Sequence, residues 1–324
     1  MTDTPKPFWQ TLRFMLSSLM VLTYYLDRLL APSAGVEGLM IAFNTTLIPM
    51  FVFISGYLSR DITKAEISRS VIPAIITCYG FQMIDTIPFI LRGEFSWVNF
   101  FIMPLDGVWF ILAVPVWQWV SVMNIELRHH PLISFLILFA IGFVGLYWLQ
   151  PYTGFALTLG YFPIFFLGRR IPVETIMRWR NQSWMVFTVF LLGTVLLFLW
   201  CYHYLPLAPD FMTLWQWQID EALLTYCVFT LFNLLFGALS LYLIRYSHLL
   251  KDIAPKSLGV YLIHPILCVI ILTLLERTGL RLDLPMAILF TLITITIAVG
   301  LASIYPFKWL LAPKLPAGKS IEKL

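Results

Sequence analysis

Leu39-Met40-Ile41-Ala42-Phe43-Asn44-Thr45-Thr46-Leu47-Ile48-Pro49-Met50-Phe51-Val52-Phe53-Ile54-Ser55-Gly56-Tyr57-Leu58 is a run of twenty residues without one charged side chain. Glu37 stands before it, and Arg60-Asp61 stand after it. A bilayer core about 30 Å thick is crossed by roughly 20 helical residues of this kind. The run therefore reads as a membrane-crossing helix. Its apolar residues are continuous, whereas a barrel strand alternates over about ten residues, so a β-barrel does not fit.

The whole chain agrees with this stretch. It has 324 residues, 60% hydrophobic and 12% charged. Soluble domains carry about 25% charged residues, and half of that cannot cover a water-facing surface. A soluble enzyme, a disordered chain and a disulfide scaffold are excluded. The 17 Gly and 20 Pro are too few for a fibrous protein. An integral membrane protein is the class that remains.

Ten apolar spans are expected, at about 9–30, 39–58, 71–91, 105–123, 131–149, 152–168, 185–204, 221–244, 258–275 and 285–306. The connections are short and polar, with Pro or Gly at several turns, as at Ala31-Pro32 and Leu284-Pro285. No repeat and no linker divides the chain, so one domain over 1–324 is expected. Placing the N-terminus in the cytoplasm puts 17 of the 21 Lys and Arg residues on that side. Only Arg28, Arg92, Arg277 and Arg281 then face outward. The positive-inside rule gives an N-in, C-in, all-α polytopic bundle. One miscounted span would invert half the loops and destroy the bias. The first apolar run is too long for a cleavable signal and has no small-residue cleavage site after it.

Cys78, Cys201, Cys227 and Cys268 each sit inside an apolar run and are expected to be buried small hydrophobes. Trp97, Trp109, Trp117, Trp119, Trp148, Trp179, Trp184, Trp215, Trp217 and Trp309 lie near span ends, where an interfacial belt is the default. The Trp215-Gln216-Trp217 cluster reads as a loop lying on the membrane in preference to a sugar-stacking pair. No HExxH, no paired Cys/His, no carboxylate cluster and no phosphate-cradling glycine loop occurs in the sequence. No nucleic-acid partner is expected; the lipid bilayer is.

Ionisable groups inside spans cost several kcal/mol and so need reasons. Arg13 and Tyr24 are eleven residues apart in the first span. Eleven helical residues turn about 1100°, close to three full turns, so the two share a face about 16 Å apart. Asp27 and Arg28 follow at helical spacing from Tyr24 and flank the same stripe. Snorkelling at each end explains these residues singly; it explains less well why all share one sector. Asp85, between Gln82 and Pro88, should face the bundle interior or a wet cavity. His264 lies about six residues inside the ninth span, either as a hydrogen-bonding core residue or at a site. His203 reads as an interface residue, and His129, His130 and His248 lie in loops. Arg60, Lys64, Arg69, Arg169, Arg170, Arg178 and Arg180 make the cytoplasmic loops basic, as the rule requires; they could also hold donor phosphates.

Four motifs carry a resemblance. Phe51-Val52-Phe53-Ile54-Ser55-Gly56-Tyr57-Leu58-Ser59-Arg60 resembles the stretch that ends the second helix of membrane acyltransferase family 3, in particular its fucose 4-O-acetylase-related branch. Trp109-Phe110-Ile111-Leu112-Ala113, Tyr161-Phe162-Pro163-Ile164-Phe165-Phe166-Leu167-Gly168 and Ser257-Leu258-Gly259-Val260-Tyr261-Leu262-Ile263-His264-Pro265 resemble three further motifs of that family, in the same order. The resemblance implies a ten-helix enzyme of the bacterial inner (cytoplasmic) membrane. It would move an acyl group, usually acetyl from acetyl-CoA or another acyl-CoA, to a hydroxyl of an envelope carbohydrate or lipid-linked acceptor. No bound cofactor is implied, and a homodimer is left open.

The family's first helix carries a basic residue and a histidine. The basic position falls on Arg13, but the histidine position falls on Tyr24, and a second family histidine falls on Leu47. The carboxylate that often follows matches at Asp27. A histidine of pKa about 6.5 suits proton abstraction at neutral pH; a tyrosine near 10 does not. The resemblance thus implies catalytic roles among Tyr24, Asp27 and His264: either the base lies elsewhere, at Asp27, Asp85 or His264, or Tyr24 itself accepts the acyl group or positions the acceptor by hydrogen bonding. Arg13, Arg60 and Arg69 are implied for the donor, and Ser55, Asp85 and Trp109 for the substrate. Ser55-Gly56 is expected to let the second helix pack closely on the first. The alternative is a protein that has lost the chemistry and serves as a transporter or an envelope-polysaccharide assembly partner.

Overall fold

The computed structural model describes residues 6–29, 33–102, 107–123, 130–149, 153–204, 218–244, 247–280 and 282–313. Every regular element among them is helical. In chain order they are α1 (Lys6–Leu26), α2 (Ala34–Leu58), α3 (Lys64–Leu91), α4 (Trp97–Ile102), α5 (Trp109–Met123), α6 (Pro131–Trp148), α7 (Thr153–Gly160), α8 (Phe162–Arg170), α9 (Val173–Arg180), α10 (Trp184–Tyr204), α11 (Ile219–Leu243), α12 (Ser257–Thr278), α13 (Leu284–Leu301) and α14 (Phe307–Leu311). Six are long and apolar enough to cross a membrane: α2, α3, α6, α11, α12 (with the 3-10 turn before it) and α13. The pair α9 and α10, bent by 97°, makes a seventh if it counts as one span.

The ends of these helices are written locally. The Thr63 hydroxyl accepts from the Glu66 amide while the Glu66 carboxylate accepts from the Thr63 amide, a capping box that starts α3. Asp283 accepts from the Met286 amide at 2.9 Å and starts α13. Gly279 ends α12 at φ 67°, a left-handed conformation that glycine adopts without cost.

Helix α1 is the axis of the bundle. It packs against α2, α12 and α13 at once. Trp9, Leu12, Leu16, Val21 and Tyr25 on it are all at most 2% exposed. Its polar residues find partners across these contacts. The Ser17 hydroxyl lies 3.0 Å from both the Arg13 and the Ser257 carbonyls. Tyr25 and Thr294 share a hydroxyl–hydroxyl bond of 2.6 Å.

The tightest crossing is α2 on α8. A Cβ at Gly56 would lie 2.0 Å from the Phe165 carbonyl oxygen, and one at Gly168 would lie 2.1 Å from that of Phe53. The expectation that Ser55-Gly56 opens the way to the first helix is corrected here: the partner is α8, through Gly168. Small residues let two backbones meet, but which backbone arrives is set by the chain's later course.

Other expectations are sharpened. The span read at 152–168 is two helices, α7 and α8, broken at Tyr161. The first helix ends at Leu26, so Asp27 and Arg28 lie in the turn beyond it. Cys78 and Cys268 are buried, but Cys227 is exposed on α11, against the burial expected of it. Trp97, Trp119, Trp148, Trp184 and Trp309 are exposed as a belt requires, whereas Trp109 and Trp117 are core residues at 4% and 1%. Trp215 and Trp217 lie outside the described residues.

Candidate functional site

A cavity of about 600 Å³ opens between the C-terminal ends of α1 and α3 and the C-terminal half of α12. Three stripes line it. Tyr24 and Arg28 come from α1 and the turn after it, one helical turn apart. Asp85, Pro88, Phe89 and Arg92 come from α3 at positions i, i+3, i+4 and i+7. Pro265, Val269, Leu272, Thr273 and Glu276 come from α12 at the same kind of spacing. The walls thus hold two guanidinium groups, two carboxylates and two hydroxyls. Such a surface suits a ligand dense in hydroxyls or carrying both signs of charge. Asp85 is 6% exposed, while Arg28, Arg92 and Glu276 stand at the open rim. Arg92 is held by Glu94 at 3.3 Å and by the Phe89 ring at 5.0 Å.

His264 sits behind Tyr24, with ring centroids 6.2 Å apart and planes at 90°. Its position has a local cause. Pro265 has no amide hydrogen, so the Tyr261 carbonyl loses its normal helical donor. His264 Nδ1 lies 2.8 Å from that carbonyl and 3.1 Å from the Val260 carbonyl. Carbonyls only accept, so Nδ1 carries the proton and Nε2 keeps the basic lone pair of the neutral ring. The Tyr261 hydroxyl then donates to the Gly107 carbonyl at 2.8 Å, tying α12 to the segment before α5.

The expected residues therefore separate into groups. Tyr24 and Asp85 line the cavity, and His264 adjoins it. Asp27 does not line it: the side chain is exposed and bonded to Asn44, and partial desolvation, opposed by that bond and by Arg28, pushes its carboxyl above the ordinary range. Trp109 is stacked on Tyr161 at 5.8 Å, inside the core and away from the lining. Ser55 lies half-buried in α2 beside the α8 crossing.

The basic residues expected to hold the donor are dispersed. Arg13, half-buried on α1, has its Nε buried without a hydrogen-bond partner among the described residues. Arg60 donates to the Ile171 carbonyl and lies 4.3 Å from the Tyr57 ring centroid. Arg69 is exposed on the first turns of α3. Arg169 donates to the Ser59 carbonyl at 2.5 Å, and Gln118 donates to the Ser59 hydroxyl at 2.7 Å.

Arg92, Thr273 and Glu276 are lining residues that sequence reasoning passed over. The signal existed, since each continues a helical stripe from a residue already singled out or from its neighbour.

No family model, no curated protein and no solved structure matches this chain. The resemblance to the acyltransferase family rests on its four motifs. They end α2, open α5, form α8 and open α12, and three of them meet at the buried contacts of Phe51, Phe110 and Tyr261.

Proposed function

We propose that this chain is a membrane O-acyltransferase of the bacterial cytoplasmic membrane. It moves an acyl group, acetyl in the simplest case, from a CoA thioester to a hydroxyl of an envelope glycan or lipid-linked acceptor. The observation that carries this reading is the pairing of Tyr24 with His264 beside a cavity of mixed charge. Where the family has a histidine the chain has Tyr24, and an imidazole with a free basic nitrogen stands next to it.

In this reading Arg28, Arg92 and Glu276 grip the acceptor, and Asp85 orients its hydroxyls. His264 Nε2 takes the proton as the hydroxyl oxygen attacks the thioester carbonyl. Tyr24 donates to the oxygen on which negative charge develops. The C–S bond then breaks, and the imidazolium returns its proton to the departing thiolate. Arg13, about 16 Å along α1, is left for the donor's phosphates. Ten crossings with both termini in the cytoplasm fit the helix order if α1, α5, α7 with α8, and α9 with α10 each count as one crossing. That count puts the cavity on the outer face.

The test is purified protein with labelled acetyl-CoA and an envelope lipid extract. Free CoA and a labelled acceptor are expected. His264→Asn keeps a donor for the Tyr261 carbonyl but removes the base, so kcat should fall by about 10²–10⁴ without loss of fold. Full turnover in that variant removes His264 from the chemistry. No turnover with any extract, together with turnover gained in Tyr24→His, favours a protein that has lost the reaction.

A further inference from the structure

Pro265 lies inside α12, immediately after His264. In a helix the amide of residue i donates to the carbonyl of residue i−4. The Val260 carbonyl takes the His264 amide by that rule, and the Tyr261 carbonyl would take the amide that proline lacks. Of the two carbonyls beside His264 Nδ1, Tyr261 is the nearer, at 2.8 Å against 3.1 Å for Val260. The shorter bond goes to the carbonyl that the proline leaves open. Alanine would suit the helix better, so helix stability is not what the proline serves.

That carbonyl is held in place from three sides. The Tyr261 side chain is 4% exposed. Its ring centroid lies 5.2 Å from that of Phe51 on α2 and 6.0 Å from that of Phe110 on α5. Its hydroxyl donates to the Gly107 carbonyl, and a Cβ at Gly107 would overlap that hydroxyl. Which ring nitrogen of a neutral histidine carries the proton is set by the bonds the ring makes. An unbonded histidine in water favours Nε2–H. A fixed carbonyl at Nδ1 selects the other form. The ring can then take a second proton on Nε2 without giving up its bond at Nδ1, so it need not turn as its charge changes.

We propose that Pro265 is a positioning residue. By withholding an amide it leaves the Tyr261 carbonyl to His264, and so keeps the imidazole in the Nδ1–H form with Nε2 open to a proton. An amide at position 265 would compete for that carbonyl and release the ring to the Nε2–H form, in which the base is blocked. The selection of the form stands on these bonds alone. Its effect on rate rests on the acyl-transfer reading.

The experiment reads the imidazole directly. The full chain, carrying 13C,15N-labelled histidine, is placed in phosphatidylcholine proteoliposomes at about pH 8, above the ordinary histidine range. Magic-angle-spinning NMR separates the two neutral forms by their ring-carbon shifts and by which nitrogen is protonated. The chain has five histidines, and the His264 signal is the one lost in His264→Asn. Wild-type protein should show Nδ1–H. Pro265→Ala should move the balance toward Nε2–H by about 10-fold, as one competing hydrogen bond predicts. It should melt no lower than wild type, and kcat should fall with the lost form while KM for the acceptor holds. Val269→Ala, one turn along the same cavity wall, trims the lining without supplying an amide and should keep the wild-type spectrum. Nε2–H in the wild type, Nδ1–H retained in Pro265→Ala, or an equal shift in Val269→Ala would each overturn the proposal. A shifted form with kcat unchanged would do so too. The expected spectra with no turnover in any of these proteins would uphold the selection by Pro265 and overturn the acyl-transfer reading instead.

Discussion

The two ends of the bundle spend their arginines differently. At the end where α2 meets α8, Arg60 is laid on Tyr57 and bonded to the Ile171 carbonyl, Arg169 is bonded to the Ser59 carbonyl, and Arg180 lies 4.0 Å from the Phe8 ring centroid. Each neutralises a helix-end carbonyl or covers an aromatic face. At the other end Arg28 and Arg92 line a cavity. The same side chain is a fastener in one place and a cavity-lining group in the other. A basic loop is therefore no guide to a phosphate site until its guanidinium groups are located.

Substitutions can break this comparison, and the largest effect belongs to the fastened end. Gly56→Ala places a Cβ against backbone, which cannot yield as a side chain can. A loss of about 3 kcal/mol or more is expected, seen as collapse of folded yield and of the melting temperature. Next comes the direct contrast. Arg169→Ala should cost about 1.5–3 kcal/mol by removing a charged donor from the Ser59 carbonyl, which keeps only the Ile62 amide at 3.4 Å. Arg28→Ala should change stability by less than about 0.5 kcal/mol while weakening whatever the cavity binds. Equal destabilisation by the two would erase the distinction between the ends. Tyr25→Phe leaves the Thr294 hydroxyl without its 2.6 Å partner, for about 1–2 kcal/mol in denaturant melts.

The smallest effect is at Asp27. Its folded carboxyl sits above the ordinary range, so the folded state binds the proton more tightly than the unfolded chain. Stability then rises as pH falls through that folded value and is lost as pH rises. Because the side chain is exposed, Asp27→Asn should flatten that slope by less than about 0.5 kcal/mol between acid and neutral pH.

What was legible in the sequence was whatever depends on short range. Continuous apolar runs gave helices, while the caps at Thr63-Glu66 and Asp283 passed unread although their signals are local. Tyr24 and Arg28 share a stripe because four residues make about one turn, and the same arithmetic from Asp85 leads to Arg92. The partner of Gly56 was not legible, because Gly168 lies more than a hundred residues away and no local rule connects them. The pairing of Tyr24 with His264 is equally long-range. What is local is the reason His264 is fixed: Pro265 leaves the Tyr261 carbonyl open, and the preceding ring closes it. Trp109 misled because span-end tryptophans usually face the interface, while Tyr161 gives this one a stacking partner indoors.

The central position of α1 has a consequence for how the chain is made. Helix α1 finds its neighbours α12 and α13 only after more than two hundred further residues have been synthesised. Until then Ser17 lacks the Ser257 carbonyl and Tyr25 lacks Thr294. These contacts close late, like a clasp whose two halves lie far apart on the strap. A chain cut short after residue 256 would lose the lining of the Tyr24 cavity that α12 supplies, together with the cover of α1.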